Sequence, residues 1–124
     1  MITGPSASAA VVVESAPLWV VADMVRAGNY DVVIVLADDQ SVRGMVRSDA
    51  VLRLSPRLPE APVRLLPLQS VVEVPATITL ADAQALLSSG RFDALLVEKL
   101  GQEGWTVLLR DDVLLGGAPQ ALSA

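Results

Sequence analysis

Adjacent carboxylates are the side chains of this sequence with the clearest chemical potential. Asp38 with Asp39, and Asp111 with Asp112, could each bind a hard cation or act as an acid/base pair. Neither pair has other ligand residues close by, and neighbouring acids in a turn or at a helix start are usually solvated. We therefore interpret both pairs as structural and expect no metal site.

The composition excludes most familiar enzyme chemistry. The chain has no His and no Cys, so it lacks imidazole acid/base groups, thiolate nucleophiles, disulfides and the usual zinc ligands. It also lacks a glycine-rich phosphate loop of the Walker type. A net charge of −5 at pH 7 provides no basic field for nucleic acid or an anionic membrane. We expect a non-catalytic protein with no nucleic-acid partner.

Two further features concern where the protein works. No apolar run approaches the ~20 uncharged residues that span a bilayer. Residues 1–10 carry no charged side chain and are rich in Ser, Ala and Gly, unlike the cationic start of a signal peptide. We expect a cytoplasmic domain without membrane insertion.

One stretch of the sequence occurs twice, 62 residues apart. Gly28–Val35 returns as Gly90–Val97, with Gly, an aromatic residue, Asp and an apolar run in the same order. If one residue is inserted in the second copy, Arg47–Leu52 aligns with Arg110–Leu115. A unit of about 60 residues is marginal alone. We therefore expect the two copies to bury apolar faces against each other in one domain.

The first copy has the pattern of a β-α-β-β-α unit. Its predicted elements are strand Ala10–Val13, helix Leu18–Ala27, a hairpin of Asp31–Leu36 and Val42–Arg47, and helix Ala50–Leu54. Apolar residues at i, i+3, i+4 and i+7 indicate that the first helix is amphipathic. Pro17 suits its start and Gly28 its left-handed end. Ser48 and Asp49 stand where the N-cap of the last helix belongs.

The second copy repeats this order. Its predicted elements are strand Val71–Val74, helix Leu80–Ser89, a hairpin of Asp93–Glu98 and Gly104–Leu109 around Lys99–Glu103, and a short helix that ends at Gly116–Gly117. Thr79 and Asp82 have the spacing of a capping box, and Gly90 suits the helix end. Asp111 or Asp112 is the predicted cap of the last helix.

The remaining segments define the domain limits. Residues 1–9 are predicted to form a flexible lead and residues 118–124 a frayed tail. Pro56, Pro59, Pro62 and Pro67 break any regular structure in a linker over residues 55–68. The domain therefore spans residues 10–117, with repeat 1 at about 10–54 and repeat 2 at about 69–117.

The order and duplication of these elements resemble the cystathionine-β-synthase-type domain pair, called the CBS pair or Bateman module. The resemblance is carried by Val71–Val74 followed by Thr79–Ala83, by Arg91–Val97, and by the hairpin that runs into Arg110–Leu114. It covers about Ala10 to Leu115. It implies an α+β fold in which two tandem β-α-β-β-α repeats pack with pseudo-two-fold symmetry.

The resemblance also implies a function. In this family, clefts between the repeats bind adenosyl compounds such as AMP, ATP or S-adenosylmethionine. The bound nucleotide regulates an attached or partner effector, and the module itself catalyses nothing. Such pairs commonly dimerise, so the resemblance implies a homodimer that requires no cofactor.

The family's ribose contact is an Asp at the start of the last helix, three residues after a Ser or Thr. The resemblance gives this role to Asp49 and Asp112; a plain helix cap, stabilising by ~1 kcal/mol, is the alternative explanation. Val46 and Leu109 stand where the hydroxyl belongs. Loss of that hydrogen bond favours an alternative function, a degenerate pair that serves as a dimerisation or docking scaffold without nucleotide.

Four further polar residues are candidate ligand contacts. Ser15 and Thr77 correspond to the family's polar contacts between first strand and first helix, and local turn bonding is the alternative. Arg47 and Arg110 could meet a phosphate, and pairing with Asp49 or Asp112 is the alternative.

Trp19 lies about one position away from the apolar stripe of its helix. An aromatic residue outside the buried face suits an anchor for a partner copy. We therefore predict that Trp19 is exposed and available to a second chain.

Overall fold

The computed structural model describes residues 7–99 and 105–114 in two units. The first-repeat unit is Ser8–Gln69, and the second-repeat unit contains Ala7 and the described residues from Ser70 onward. Each unit holds one copy of the repeat. No helix in the described ranges is long and apolar enough to cross a membrane.

The first-repeat unit has three strands and two α-helices. They are β1 (Ala9–Val13), α1 (Leu18–Gly28), β2 (Val32–Leu36), β3 (Val42–Arg47) and α2 (Ser48–Leu54). Strand β1 pairs in parallel with β2, and β2 pairs antiparallel with β3, so the sheet order is β1-β2-β3.

The second-repeat unit has the same element order. It contains β4 (Val71–Val74), α3 (Leu80–Ser88), β5 (Ala94–Glu98), β6 (Trp105–Leu109) and α4 (Arg110–Leu114). The sheet order is β4-β5-β6, again one parallel and one antiparallel pair. These elements confirm the predicted α+β class and the two β-α-β-β-α repeats.

Each unit has its own apolar core. Helix α1 buries the predicted stripe against the β2 side chains Val33 and Val35. The buried residues of that stripe are Leu18, Val21, Ala22 and Val25. In the second-repeat unit, α3 packs its buried Leu87 on Leu95 and Val97 of β5. All five residues of β2 are buried, as a continuously apolar strand predicts.

The Asp of the repeated motif has the same structural task in both copies. The Ser8 amide and hydroxyl donate to Oδ2 of Asp31 at 3.1 and 3.2 Å. The Ser70 amide donates to Oδ2 of Asp93 at 3.1 Å. Each carboxylate therefore holds the residue that enters the first strand beside the start of the second strand.

The two glycines of the motif have different tasks. Gly90 adopts the predicted left-handed conformation, with φ of 77°. The same prediction for Gly28 is wrong, because Gly28 is helical and Asn29 is the left-handed residue, with φ of 51°. Asn tolerates this conformation better than most side chains. A Cβ at position 28 would overlap the Tyr30 ring, so a close approach explains that glycine.

The predicted caps divide in the same way. Thr79 is confirmed as the N-cap of α3, since its Oγ1 accepts from the Asp82 amide at 3.1 Å. Ser48 and Asp49 are not caps, because Ser48 is the first residue of α2 and Arg47 occupies the cap position. Asp111 and Asp112 likewise lie inside α4. In both copies the strand runs directly into the helix, so the last strand residue becomes the cap.

The proline-rich segment is more ordered than predicted. Val63–Leu65 forms a one-turn 3₁₀ helix, and Val63 and Leu66 are buried in the first core. Gln69 then pairs with Met45 of β3 through backbone N–O distances of 3.0 and 2.7 Å. Residues 55–69 are therefore an integral part of the first-repeat unit.

Both termini differ from the predicted limits or lie outside the described residues. Strand β1 begins at Ala9, and the Ala7 amide donates to the Val107 carbonyl at 2.9 Å. Residues 7–9 are therefore hydrogen bonded and do not form a loose lead. Most of the turn Lys99–Glu103, the stop at Gly116–Gly117 and the tail 118–124 lie outside the described residues.

Candidate functional site

Hairpin register decides which residues of the two copies correspond. Val32 pairs with Arg47 across the first hairpin, and Ala94 pairs with Leu109 across the second. Both members of the second pair lie 62 residues after their counterparts. The helices that follow keep this spacing, since Val51 and Val113 are both fully buried. The predicted insertion of one residue in the second copy is therefore wrong.

The register removes the predicted equivalence of the two ribose aspartates. Asp49 corresponds to Asp111, and Asp112 corresponds to Ala50. At most one of Asp49 and Asp112 therefore occupies the ribose position that the resemblance implies. The arginines are not equivalent either, because Arg110 follows the last strand residue of its copy whereas Arg47 is that residue.

The predicted site residues lie at opposite ends of each sheet. Ser15 follows the carboxyl end of β1, whereas Arg47 pairs with Val32 at the amino end of β2. Because β1 and β2 are parallel, these two positions are about 15 Å apart, the length of a five-residue strand. Thr77 and Arg110 are separated in the same way in the second-repeat unit. Neither unit brings its candidate hydroxyl and candidate carboxylate together.

The junction of β3 and α2 presents an exposed cation. Arg47 is exposed, and in the described part of the chain no carboxylate lies within ion-pair distance of it. The predicted pairing of Arg47 with Asp49 is therefore absent there. Ser48 is buried, its amide donates to the Asp31 carbonyl at 3.1 Å, and its Oγ has no hydrogen-bond partner. Asp49 is exposed in the first turn, where its charge favours the helix dipole.

The junction of β6 and α4 is more acidic. The Arg110 guanidinium lies 3.8 Å from Oδ1 of Asp93 and 3.8 Å from Oδ1 of Asp111. The predicted pairing of Arg110 with Asp112 is wrong, because these other two carboxylates are its partners. Asp112 is half-buried and follows them in the first turn of α4. Three carboxylates surround one guanidinium here, so an incoming phosphate would meet a negative field.

Two residues at these junctions were not predicted as site residues. Asp93 holds Arg110, and the available sequence signal was its place in the repeated Gly-aromatic-Asp motif. Ser48 has an unpartnered buried hydroxyl. No local pattern indicates that burial, since it arises from β3 running into α2 without a connecting residue.

The candidate hydroxyls lie in turns. Ser15 and Thr77 are 62 residues apart, both precede the first helix of their copy, and both are exposed. Neither hydroxyl makes a hydrogen bond within residues 7–99 and 105–114. The alternative of local turn bonding therefore does not account for these side chains.

The carboxylate pair Asp38–Asp39 lies in the exposed turn of the first hairpin. Oδ1 of Asp39 accepts from the Ser41 hydroxyl at 2.6 Å and from its amide at 3.0 Å. These bonds stabilise the carboxylate, so the pKa of Asp39 lies below its ordinary value. Within the described ranges, no cluster of three or more His, Cys, Asp or Glu side chains could hold a metal ion.

Replacement of Ser41 by Ala is expected to raise the pKa of Asp39 toward its ordinary value, because the hydroxyl is the largest cause of the shift. The lowered pKa of the folded state contributes stability above the unfolded-state pKa, and this contribution is lost as pH falls through the folded-state pKa. Carboxyl-detected NMR titration measures the change. Ser88→Ala, on α3, should leave Asp39 unaffected. An unchanged Asp39 titration in Ser41→Ala would contradict the assignment.

An open groove of about 480 Å³ lies on the second-repeat unit beside α3. Its floor is apolar and includes Leu86 and Phe92, and its rim carries Asp82 and Arg91. The Arg91 guanidinium lies 5.7 Å from the Phe92 ring centroid. None of the predicted site residues lines this groove.

Comparison with known proteins supports the fold at low sequence identity. No protein-family model and no curated protein sequence matches the chain. A hemolysin-like protein containing a CBS domain from Oenococcus oeni PSU is 16% identical, with a TM-score of 0.67 over 87% of this chain and 80% of that one. A CBS-domain-containing protein from Kribbella flavida DSM 17836 is 16% identical, with a TM-score of 0.63 over 86% and 91%. CBSX2 in complex with AMP is 21% identical, with a TM-score of 0.52 over 85% and 84%.

Proposed function

We propose that this chain, which has the fold of a CBS domain pair, is a non-catalytic regulatory module. The observation that carries the proposal is the duplicated β-α-β-β-α fold, which is similar to solved CBS-domain structures over more than four-fifths of the chain. The absence of His and Cys supports a binding role over a catalytic one. The module acts in the cytoplasm as a homodimer on an attached or partner effector.

The proposed ligand is an adenosyl compound such as AMP, ATP or S-adenosylmethionine. The structure of CBSX2, which this chain resembles, is a complex with AMP. Ser15 and Thr77 are the proposed polar contacts, because both hydroxyls are exposed and lack a partner among the described residues. No cofactor is required for the module to fold.

Asp112 is the favoured ribose contact. It is half-buried, whereas Asp49 is exposed. A carboxylate hydrogen bond to a ribose hydroxyl contributes more where water competes less. Asp49 then has the role of a first-turn charge that stabilises α2.

Arg47 is the favoured phosphate contact. It is exposed and has no carboxylate partner among the described residues, whereas Arg110 already contacts Asp93 and Asp111. A guanidinium with two carboxylates beside it would exchange existing ion pairs for the phosphate, so the net gain is smaller.

Thermal-shift measurement with AMP, ADP, ATP and S-adenosylmethionine tests the ligand proposal. A ligand at a hundred times its Kd is expected to stabilise the fold by about 2.7 kcal/mol. Asp112→Ala should abolish the shift, and Asp49→Ala should retain it, with circular dichroism showing that both variants fold. Loss of the shift in Asp49→Ala alone would transfer the ribose role to Asp49.

A scaffold without nucleotide is the second candidate function. The specific observation is that Val46 and Leu109 supply alkyl groups where the family's ribose site has a hydroxyl. Val46 is also buried and packs in the first core, so its side chain serves the fold. If no adenosyl compound shifts the melting temperature while light scattering shows a dimer, the scaffold function replaces the sensor function.

A further inference from the structure

Strand β1 has an edge that no other strand covers within the described residues. It pairs with β2 on one side only. The third strand of each sheet is different, because Gln69 pairs with Met45 of β3 and Ala7 pairs with Val107 of β6. Of the two strands that begin the repeats, β1 and β4, each therefore presents an uncovered edge.

The backbone of β1 offers free donors and acceptors along this edge. The Ser8 carbonyl accepts from Val32, and the Glu14 amide donates to Leu36. Because alternate residues of a strand point their backbone groups to the same side, even-numbered residues between them also face β2. The amides of Ala9, Val11 and Val13 therefore face away from β2 and have no backbone partner in the described ranges.

The side chains of β1 leave its edge unprotected against pairing. Val11 and Val13 are 42% and 41% exposed, and residues Ala9–Val13 carry no charge. The position of β4 that corresponds to Val11 is Glu73, an exposed carboxylate. A charge on an edge strand is a common device against strand addition. The second repeat has this device and the first repeat lacks it.

We propose that β1 is a homodimerisation edge that pairs antiparallel with β1 of a second copy. A two-fold contact places each residue against its own counterpart or a near neighbour, so an edge charge would face a like charge. Glu73 excludes such pairing for β4, whereas the uncharged β1 permits it. The occupant is therefore a second copy of this chain.

The free backbone groups define the register of this pairing. Centred on Val11, each Val11 amide donates to the carbonyl of Val11 of the partner subunit, and each Val13 amide donates to the carbonyl of Ala9 of the partner subunit. The Val13 carbonyl is excluded because it already accepts from the Ala16 amide at 3.0 Å. The two sheets then form one continuous sheet with β1 at its centre. This inference rests on the homodimer of the proposed function and is independent of any nucleotide.

A single introduced cysteine tests the register directly, because the natural chain has none. Residues that exchange both hydrogen bonds across an antiparallel pair have Cα atoms about 5.5 Å apart, within the range of a disulfide. Val11→Cys of the full chain should therefore form a disulfide-linked dimer under mild oxidation. The control Ala81→Cys, on the exposed surface of α3, should remain monomeric on a non-reducing gel. Equal cross-linking of the two variants would overturn the proposal.

Light scattering over a concentration series tests the pairing without oxidation. Val11→Glu copies the residue of the second repeat and should raise the dimer dissociation constant about ten-fold or more, since like charges would face each other. Ala81→Glu adds the same charge and should leave the constant unchanged. Melting temperature checks that both variants fold.

Three results would overturn the β1 edge as the dimer contact. They are a wild-type chain that stays monomeric at all concentrations, a dimer that tolerates Val11→Glu, and a dimer that is lost in Trp19→Ala but not in Val11→Glu. The last two results leave the homodimer of the proposed function intact, and the thermal-shift measurement decides ligand binding separately.

Discussion

Replacement of Leu18 by Ala is expected to lower the free energy of unfolding by about 3 kcal/mol. Leu18 is 1% exposed and is the first residue of the buried α1 stripe. Truncation removes apolar contacts and leaves a cavity that Val33 and Val35, on a rigid strand, cannot fill. Urea denaturation followed by far-UV circular dichroism measures the change.

Leu65→Ala is the matched control for Leu18→Ala. It is the same chemical change in the same unit, but Leu65 is 68% exposed on the 3₁₀ turn. The free energy of unfolding should change by less than about 0.5 kcal/mol. Equal losses in the two variants would mean that α1 does not cover β2 as described.

Replacement of Gly44 by Ala is expected to destabilise the protein by about 2 kcal/mol, although it adds one methyl group. A Cβ at this position would lie 2.9 Å from the Gln69 carbonyl oxygen and 2.9 Å from Cβ of Leu68. Neither atom is the end of a flexible side chain, so the backbone must move. The displacement would break the pairing of Gln69 with Met45. Urea denaturation gives the free energy, and hydrogen exchange of the Gln69 amide reports the local opening.

Arg43→Ala is the control for the Gly44 variant, because it changes the adjacent residue of the same strand. The Arg43 side chain is 59% exposed and its Nε lies 3.0 Å from Oε2 of Glu14. An ion pair of this exposure contributes less than about 1 kcal/mol. Protection of the Gln69 amide should survive in Arg43→Ala. Its loss there, or its persistence in Gly44→Ala, would contradict the steric explanation.

Periodicity explains why the elements could be predicted. Apolar residues at helical spacing predicted α1 and its buried residues, and the continuous apolar run predicted β2 as a strand buried on both faces. Thr79 was predicted as a cap because its spacing from Asp82 is a local signal that needs no tertiary contact.

The candidate site was less predictable for a physical reason. Alignment by residue type matched Asp49 with Asp112, but hairpin register, which depends on pairing between strands, matches Asp49 with Asp111. The strand-to-helix transitions similarly placed Arg47 at a cap that composition assigned to Ser48. Ion pairs of long side chains are also set by the fold, so Arg110 meets Asp93, which precedes it by 17 residues.

Fold class, element order and the duplication are properties of local pattern, and they could be inferred from residues within one or two turns or strand lengths of each other. Register, the packing of the proline-rich segment on β3 and the charge balance at each junction depend on residues that are distant in the chain and meet only after folding. An alignment of letters has no term for a hydrogen-bonded ladder. That ladder determines which carboxylate of each repeat stands at the start of the last helix.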